Sequence, residues 1–93
     1  MTFEWDPAKA RRNYEKHRVS FHEACTIFGD PFSLTYADPD HSATERRFIT
    51  IGMSRDKKIL IVAHTDRNEK VRIISARKAM RRERRHYEEE TES

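Results

Sequence analysis

The chain has 93 residues, enough for one domain with a small core. Hydrophobic residues are 35% and charged residues 38%, so the apolar side chains must be concentrated in few elements, and stability can lean on a partner. A net charge of +3 excludes a histone-like polycation, the single Cys25 excludes a disulfide framework, and two glycines, Gly29 and Gly52, exclude a Gly-rich phosphate loop.

Phe3-Glu4-Trp5 reads as a short strand. Asp6 is a good N-cap and Pro7 suits the first helical position, so a helix is expected from Pro7 to about His17. Ser20 and Glu23 form a capping box for a second helix, with Val19 and Ala24 as its staple and Ala24, Ile27 and Phe28 as its apolar stripe. Asp30-Pro31 ends it. Trp5 and His17 read as structural.

Phe32–Tyr36 looks like a strand, and 37–44 is a polar loop. Three strong strand signals follow near 46–54, 58–66 and 70–75, joined by short loops, which predicts an antiparallel four-stranded meander. Ile59-Leu60-Ile61-Val62-Ala63 is apolar on both faces and reads as a central strand. A last helix is expected over about 77–90, with Ser75 as its cap. The fold class is α+β: a short N-terminal strand, two helices, the meander and a C-terminal helix.

Closing the hairpins at Arg55-Asp56-Lys57 and Arg67-Asn68-Glu69 sets Thr50 opposite Val62, Phe48 opposite His64, and His64 opposite Arg72. That register puts Ile49, Ile51, Met53, Ile59, Ile61, Val71 and Ile73 on a face turned to the helices. The other face then carries Arg46, Phe48, Thr50, His64 and Arg72. A guanidinium fork suits phosphate, and an imidazole moves protons near neutral pH. The same residues also suit an ordinary solvated face.

Six basic residues fall between Arg77 and Arg85, and the tail turns acidic from Glu88. The run suits a polyanion such as RNA, or a solvated helix with i,i+4 pairs. No second ligand pair accompanies His22 and Cys25. Asp38, Asp40 and His41 read as a polar turn rather than a cation site, so no metal or cofactor is expected. Cys25 falls where the second helix buries it, which argues against a nucleophile. The first twenty residues are charged throughout and no apolar run approaches roughly 18 residues, so neither a signal peptide nor a membrane span is expected, and the cytoplasm is the natural compartment.

The chain resembles the BrnT family. The resemblance rests on Phe3-Glu4-Trp5-Asp6-Pro7 with Lys9-Ala10, Asn13, Lys16-His17, Val19-Ser20-Phe21 and Glu23-Ala24. It continues through Phe28 with Asp30-Pro31, Asp38, Asp40-His41-Ser42, and Glu45 with Arg47. The most characteristic stretch is Ile73-Ile74-Ser75-Ala76-Arg77-Lys78-Ala79, leading to Arg82-Glu83-Arg84 and Tyr87. The match spans Phe3 to Tyr87. It departs from the family at Arg18, where glycine is usual, at Arg46, where an acid is common, and at Met80, where threonine is common.

The resemblance implies a RelE-like type II toxin that cleaves RNA and stops translation. It also implies a BrnA-like antitoxin with a ribbon-helix-helix part that represses the operon, so operator DNA is met only through the antitoxin, in a heterotetramer built on an antitoxin dimer. Cleavage without metal, by the ribose 2′-OH on its own phosphate, would use Arg72 and Arg77 at the phosphate, with Arg47 or Arg67 assisting. His64 is the first choice for acid–base work, then Glu45 and Glu83. Tyr87 and Arg81 would contact RNA. The alternatives are a non-catalytic nucleic-acid-binding module and a corepressor subunit.

Overall fold

The computed structural model describes residues 1–38 and 45–92, so the Asp40–His41 part of the polar loop lies outside the described residues. The strands are β1 (Phe3–Glu4), β2 (Leu34–Ala37), β3 (Arg47–Met53), β4 (Ile59–Arg67) and β5 (Lys70–Lys78). The helices are α1 (Pro7–His17), α2 (Phe21–Cys25), which runs into a 3-10 turn at Thr26–Gly29, and α3 (Arg81–Glu92). The fold is α+β, with a five-stranded mixed sheet in the order β1-β5-β4-β3-β2. The four-stranded meander is present as β2 to β5. It is extended by β1, which pairs parallel to β5 through Phe3↔Val71 and Glu4↔Arg72.

Local chemistry sets the helix ends. The Asp6 carboxylate accepts from the Ala8 N–H at 2.8 Å and opens α1. Arg18 closes it at φ 59°, with its N–H on the Tyr14 carbonyl at 2.8 Å. A left-handed residue here costs a non-glycine about 1 kcal/mol. The guanidinium, 5.6 Å from the centre of the Tyr14 ring, offsets part of that. The Ser20 hydroxyl accepts from the Glu23 N–H at 3.0 Å, but the Glu23 carboxylate goes to Ser54 Oγ at 2.8 Å, tying α2 to the β3–β4 turn.

The register between β4 and β5 differs from expectation. Asn68 and Glu69 both have positive φ, which makes a two-residue turn closed by Arg67 and Lys70. A two-residue turn shifts the pairing by one, so Thr65, not His64, faces Arg72, and His64 faces Ile73. A shift between Ala63 and His64 then leaves Ile74 without a partner, as a β-bulge, and Ser75 pairs with Ala63. Strand β5 runs on to Lys78, so Arg77 lies on a strand rather than on the last helix.

The shift splits the expected packed set: Val71 and Ile73 stay on the helix-covered side, whereas the β3 and β4 members lie on the other. Helices α1 and α2 and the 3-10 turn cover Leu60, Val62, Ile73 and Ala76, with Val19, Phe21, Ala24 and Ile27 from the helical side. Each large apolar side chain buried there is worth roughly 1.5–3 kcal/mol. Gly52 is needed at this contact, because a Cβ on it would lie 3.1 Å from Ile27 Cβ. Ile49, Ile51 and Ile61 face the other way, toward α3. That helix is mostly exposed, and Tyr87 is its one fully buried side chain among the described residues.

Candidate functional site: a cationic sheet face

Paired residues of neighbouring strands share a face, so the register sorts the outer side of the sheet into rows. One row runs Arg47, Thr65, Arg72 and Glu4 across β3, β4, β5 and β1. The next runs Tyr36, Ile49, Ala63 and Ser75, and the third runs Leu34, Ile51, Ile61 and Arg77. Alternation along β4 adds Arg67 to this side. Between Arg72 and Arg77, β5 carries the bulged Ile74 and then Ser75, which pairs with Ala63.

The charges here are partly paired. Arg72 Nη1 donates to Glu4 Oε2 at 2.6 Å. Arg77 makes a two-pronged bond to Glu83, 2.8 Å on each prong, and Glu83 also accepts from the Met80 N–H at the start of α3. Arg67 lies 3.6 Å from Glu45. Arg47 has no ion-pair partner among the described residues. A guanidinium has five N–H donors and a carboxylate engages two at most, so each paired arginine keeps donors for a phosphate. The Arg77 bond holds the Glu83 carboxyl below its ordinary range and raises Arg77 further. Glu83 is thus an ionised carboxylate and a weak proton acceptor.

The site residues expected from sequence divide clearly. Arg47, Arg67, Arg72 and Arg77 share the outer face, with Glu45 and Glu83 attached to two of them. Arg81 is exposed at the first turn of α3.

His64 is on the opposite, packed face, which corrects the expectation that it stands beside Arg72. Only 6% exposed, it bonds through Nε2 to Thr50 Oγ1 at 2.7 Å, between the rings of Phe28 and Phe48 at 5.0 and 5.8 Å. Its Nδ1 has no partner among the described residues, and burial pushes its pKa below the ordinary 6.5. A neutral, enclosed imidazole cannot exchange protons with a ligand on the outer face.

Tyr87 is likewise unavailable for stacking. It is 4% exposed and donates to Asp30 Oδ2 at 2.5 Å. Burial and that bond push its pKa to about 12. Against burial's upward pull, Asp30 is held below its ordinary value by Tyr87 and by the N–H groups of Met53 and Phe32. Burial pushes the Cys25 thiol up to about 11, which leaves no thiolate at neutral pH.

Sequence reasoning missed one pair. Tyr36 Oη and His86 Nε2 lie 2.8 Å apart at the edge of the outer face. They are 50 residues apart and carry no local signal. Strand alternation would have placed Tyr36 on this face had the register been right.

A family model described as "Ribonuclease toxin, BrnT, of type II toxin-antitoxin system" matches residues 5–83. The chain belongs to the BrnT family. Membership makes it a type II toxin–antitoxin ribonuclease toxin by class and implies an antitoxin partner. Among solved structures, the chain is similar to the crystal structure of the Brucella abortus ribonuclease toxin BrnT. The identity is 21% and the TM-score 0.64, covering 87% of this chain and 99% of that one. At that identity the likeness shows the BrnT-like fold. A search of curated protein sequences gives no match. His86 and Tyr87 lie beyond the family-matched segment. No helix among the described residues is long and apolar enough to cross a membrane.

Proposed function

We propose that this chain is a metal-independent endoribonuclease that stops translation, and that RNA lies across the outer sheet face. The observation carrying this reading is the gathering of Arg47, Arg67, Arg72 and Arg77 on one face. The ribose 2′-OH attacks the adjacent phosphorus. A bond forms between the 2′-oxygen and phosphorus, the bond to the 5′-oxygen breaks, and the departing oxygen takes a proton from water, so that a cyclic phosphate and a 5′-hydroxyl result. Arg72 and Arg77 stabilise the charge that builds on the phosphoryl oxygens, and Arg47 and Arg67 hold the flanking backbone. Glu45, loosely paired to Arg67, is the base proposed for the 2′-OH; Glu83 is too tightly held by Arg77 to serve. Arg81 extends the backbone contacts. The carboxylates of this face are engaged by arginines, which suits arginine stabilisation of the developing charge.

The partner proposed is a BrnA-like antitoxin whose ribbon-helix-helix part binds operator DNA, in a heterotetramer built on an antitoxin dimer. The site of action is the cytoplasm, where RNA is translated. The test is induced expression in bacteria together with purified protein on RNA in EDTA. Wild type arrests growth and cleaves despite the chelator. Arg72→Ala, folded by circular dichroism, loses about 10²–10³ in rate, as expected for one transition-state donor. A harmless wild type that leaves RNA intact would make the chain a non-catalytic corepressor.

A further inference from the structure

Beneath α3 the outer face holds a groove of about 380 Å³. Its floor is Ile49, Ile51 and Ile61, and its walls include Tyr36, His86 and Arg82. Ile51 pairs directly with Ile61, and Ile49 follows two residues along β3, so the floor is a plate of roughly 5 by 7 Å. The volume lies in the small-ligand range of about 300–1,000 Å³.

Two polar pairs flank the groove, Tyr36 with His86 and Glu83 with Arg77. An apolar floor without free donors or acceptors suits a flat aromatic ring better than a sugar. The lip is cationic: Arg82 makes no ion pair among the described residues, and Arg81 and Arg85 are exposed on the same helix. An apolar slot beneath an unpaired guanidinium is complementary to an aromatic ring that carries a phosphate. Ala63 and Ser75 continue the Tyr36–Ile49 row of this groove toward β5, the strand that carries Arg72 and Arg77.

We infer that this groove seats one unstacked base of single-stranded RNA. The inference rests on the ribonuclease reading above. The base lies over Ile49 and Ile61 against the Tyr36 ring, and its phosphate meets Arg82. A base held in a duplex cannot enter, so the groove selects unpaired substrate.

The test is a chemical-shift titration of the intact protein with adenosine 5′-monophosphate and, separately, ribose 5-phosphate. The nucleotide binds about tenfold or more tightly, the range one stacked base supplies. It moves the amides of Ile49, Ile51 and Ile61 and the His86 ring. Tyr36→Ala, at a half-exposed position on an edge strand, brings its affinity toward that of ribose 5-phosphate. Equal affinities for the two ligands in the wild type, or nucleotide shifts confined to other surfaces, overturn the inference. Cleavage of single-stranded RNA is scored in parallel. Cleavage without base preference removes only the groove site, whereas a base seated in the groove without cleavage removes the ribonuclease reading.

Discussion

Asn13 offers the sharpest test of how the fold is held. Strand β1 covers only the start of the outer edge of β5, and beyond it the carboxamide of Asn13 serves as the missing strand partner. Its Nδ2 donates to the carbonyls of Val19 at 3.1 Å and Ala76 at 2.8 Å, and its Oδ1 accepts from the Ala76 N–H at 3.1 Å. Asn13 is 8% exposed, so these three bonds lie in the interior. Asn13→Ala leaves three buried backbone groups without partners. At about 1 kcal/mol net per bond, the loss is about 3 kcal/mol. For a domain of this size that lowers Tm by roughly 12–24 °C, at about 4–8 °C per kcal/mol. Asn13→Asp should be worse, because both donors vanish and a negative charge faces two carbonyls. Urea denaturation measures each loss at constant slope. A loss below about 1 kcal/mol for Asn13→Ala would mean that water replaces the carboxamide and that the edge does not depend on it.

Three further outcomes are expected. His64 binds a proton less readily folded than unfolded, so its contribution to stability is intact above its unfolded pKa near 6.5 and declines as pH falls below it. His64→Leu should remove that part of the slope between urea midpoints at pH about 7.5 and 5.5; an unchanged slope refutes the assignment. Gly52→Ala should cost about 1–3 kcal/mol, because the new Cβ meets Ile27 Cβ and Ser33 Cβ at 3.1 Å each, and a neutral result in thermal melts would show that the 3-10 turn yields freely. Tyr87→Phe removes a hydrogen bond to a carboxylate worth about 1.5–3 kcal/mol and should speed amide exchange along α3, whereas unaltered protection there would place the anchor elsewhere.

The helix starts were legible because caps are local: Asp6, Pro7 and Ser20 act within one turn of themselves, although the Glu23 carboxylate of the expected capping box goes to Ser54 instead. The strands were legible from alternation, and the β3–β4 register was right, with Phe48 opposite His64 and Thr50 opposite Val62. The β4–β5 register was not, for two reasons. Asn68-Glu69 lacks the glycine that marks a two-residue turn, and the bulge at Ile74 has no signature of its own. Because β3 and β4 carry apolar residues on both sides, hydrophobicity could not choose the packed face, and His64 went to the wrong one. Arg77 and Lys78 are good helix formers, so the strand end was read as helix. Of the outer-face arginines, the expected polar face held only Arg72; Arg47 alternates with Phe48 and so fell on the side of Ile49 and Ile51, and Arg77 was read into the last helix. The Tyr36–His86 contact depends wholly on where α3 docks.

The parallel pairing of β1 with β5 has a consequence for how the protein comes into being. Glu4 and Arg72 are 68 residues apart, and Asn13 and Ala76 are 63 apart. Helices α1 and α2 make their main sheet contacts with β5, the last strand to be synthesised. Contacts this distant in sequence must bear the loop-closure cost before any burial rewards it, which makes folding slow and all-or-none. During translation the first two helices therefore lack their main sheet surface until β5 has been made. A chain released before β5 is made lacks Ile73 and Ala76 of the core and both Arg72 and Arg77 of the outer face, so an interrupted copy of this toxin is expected to be inert.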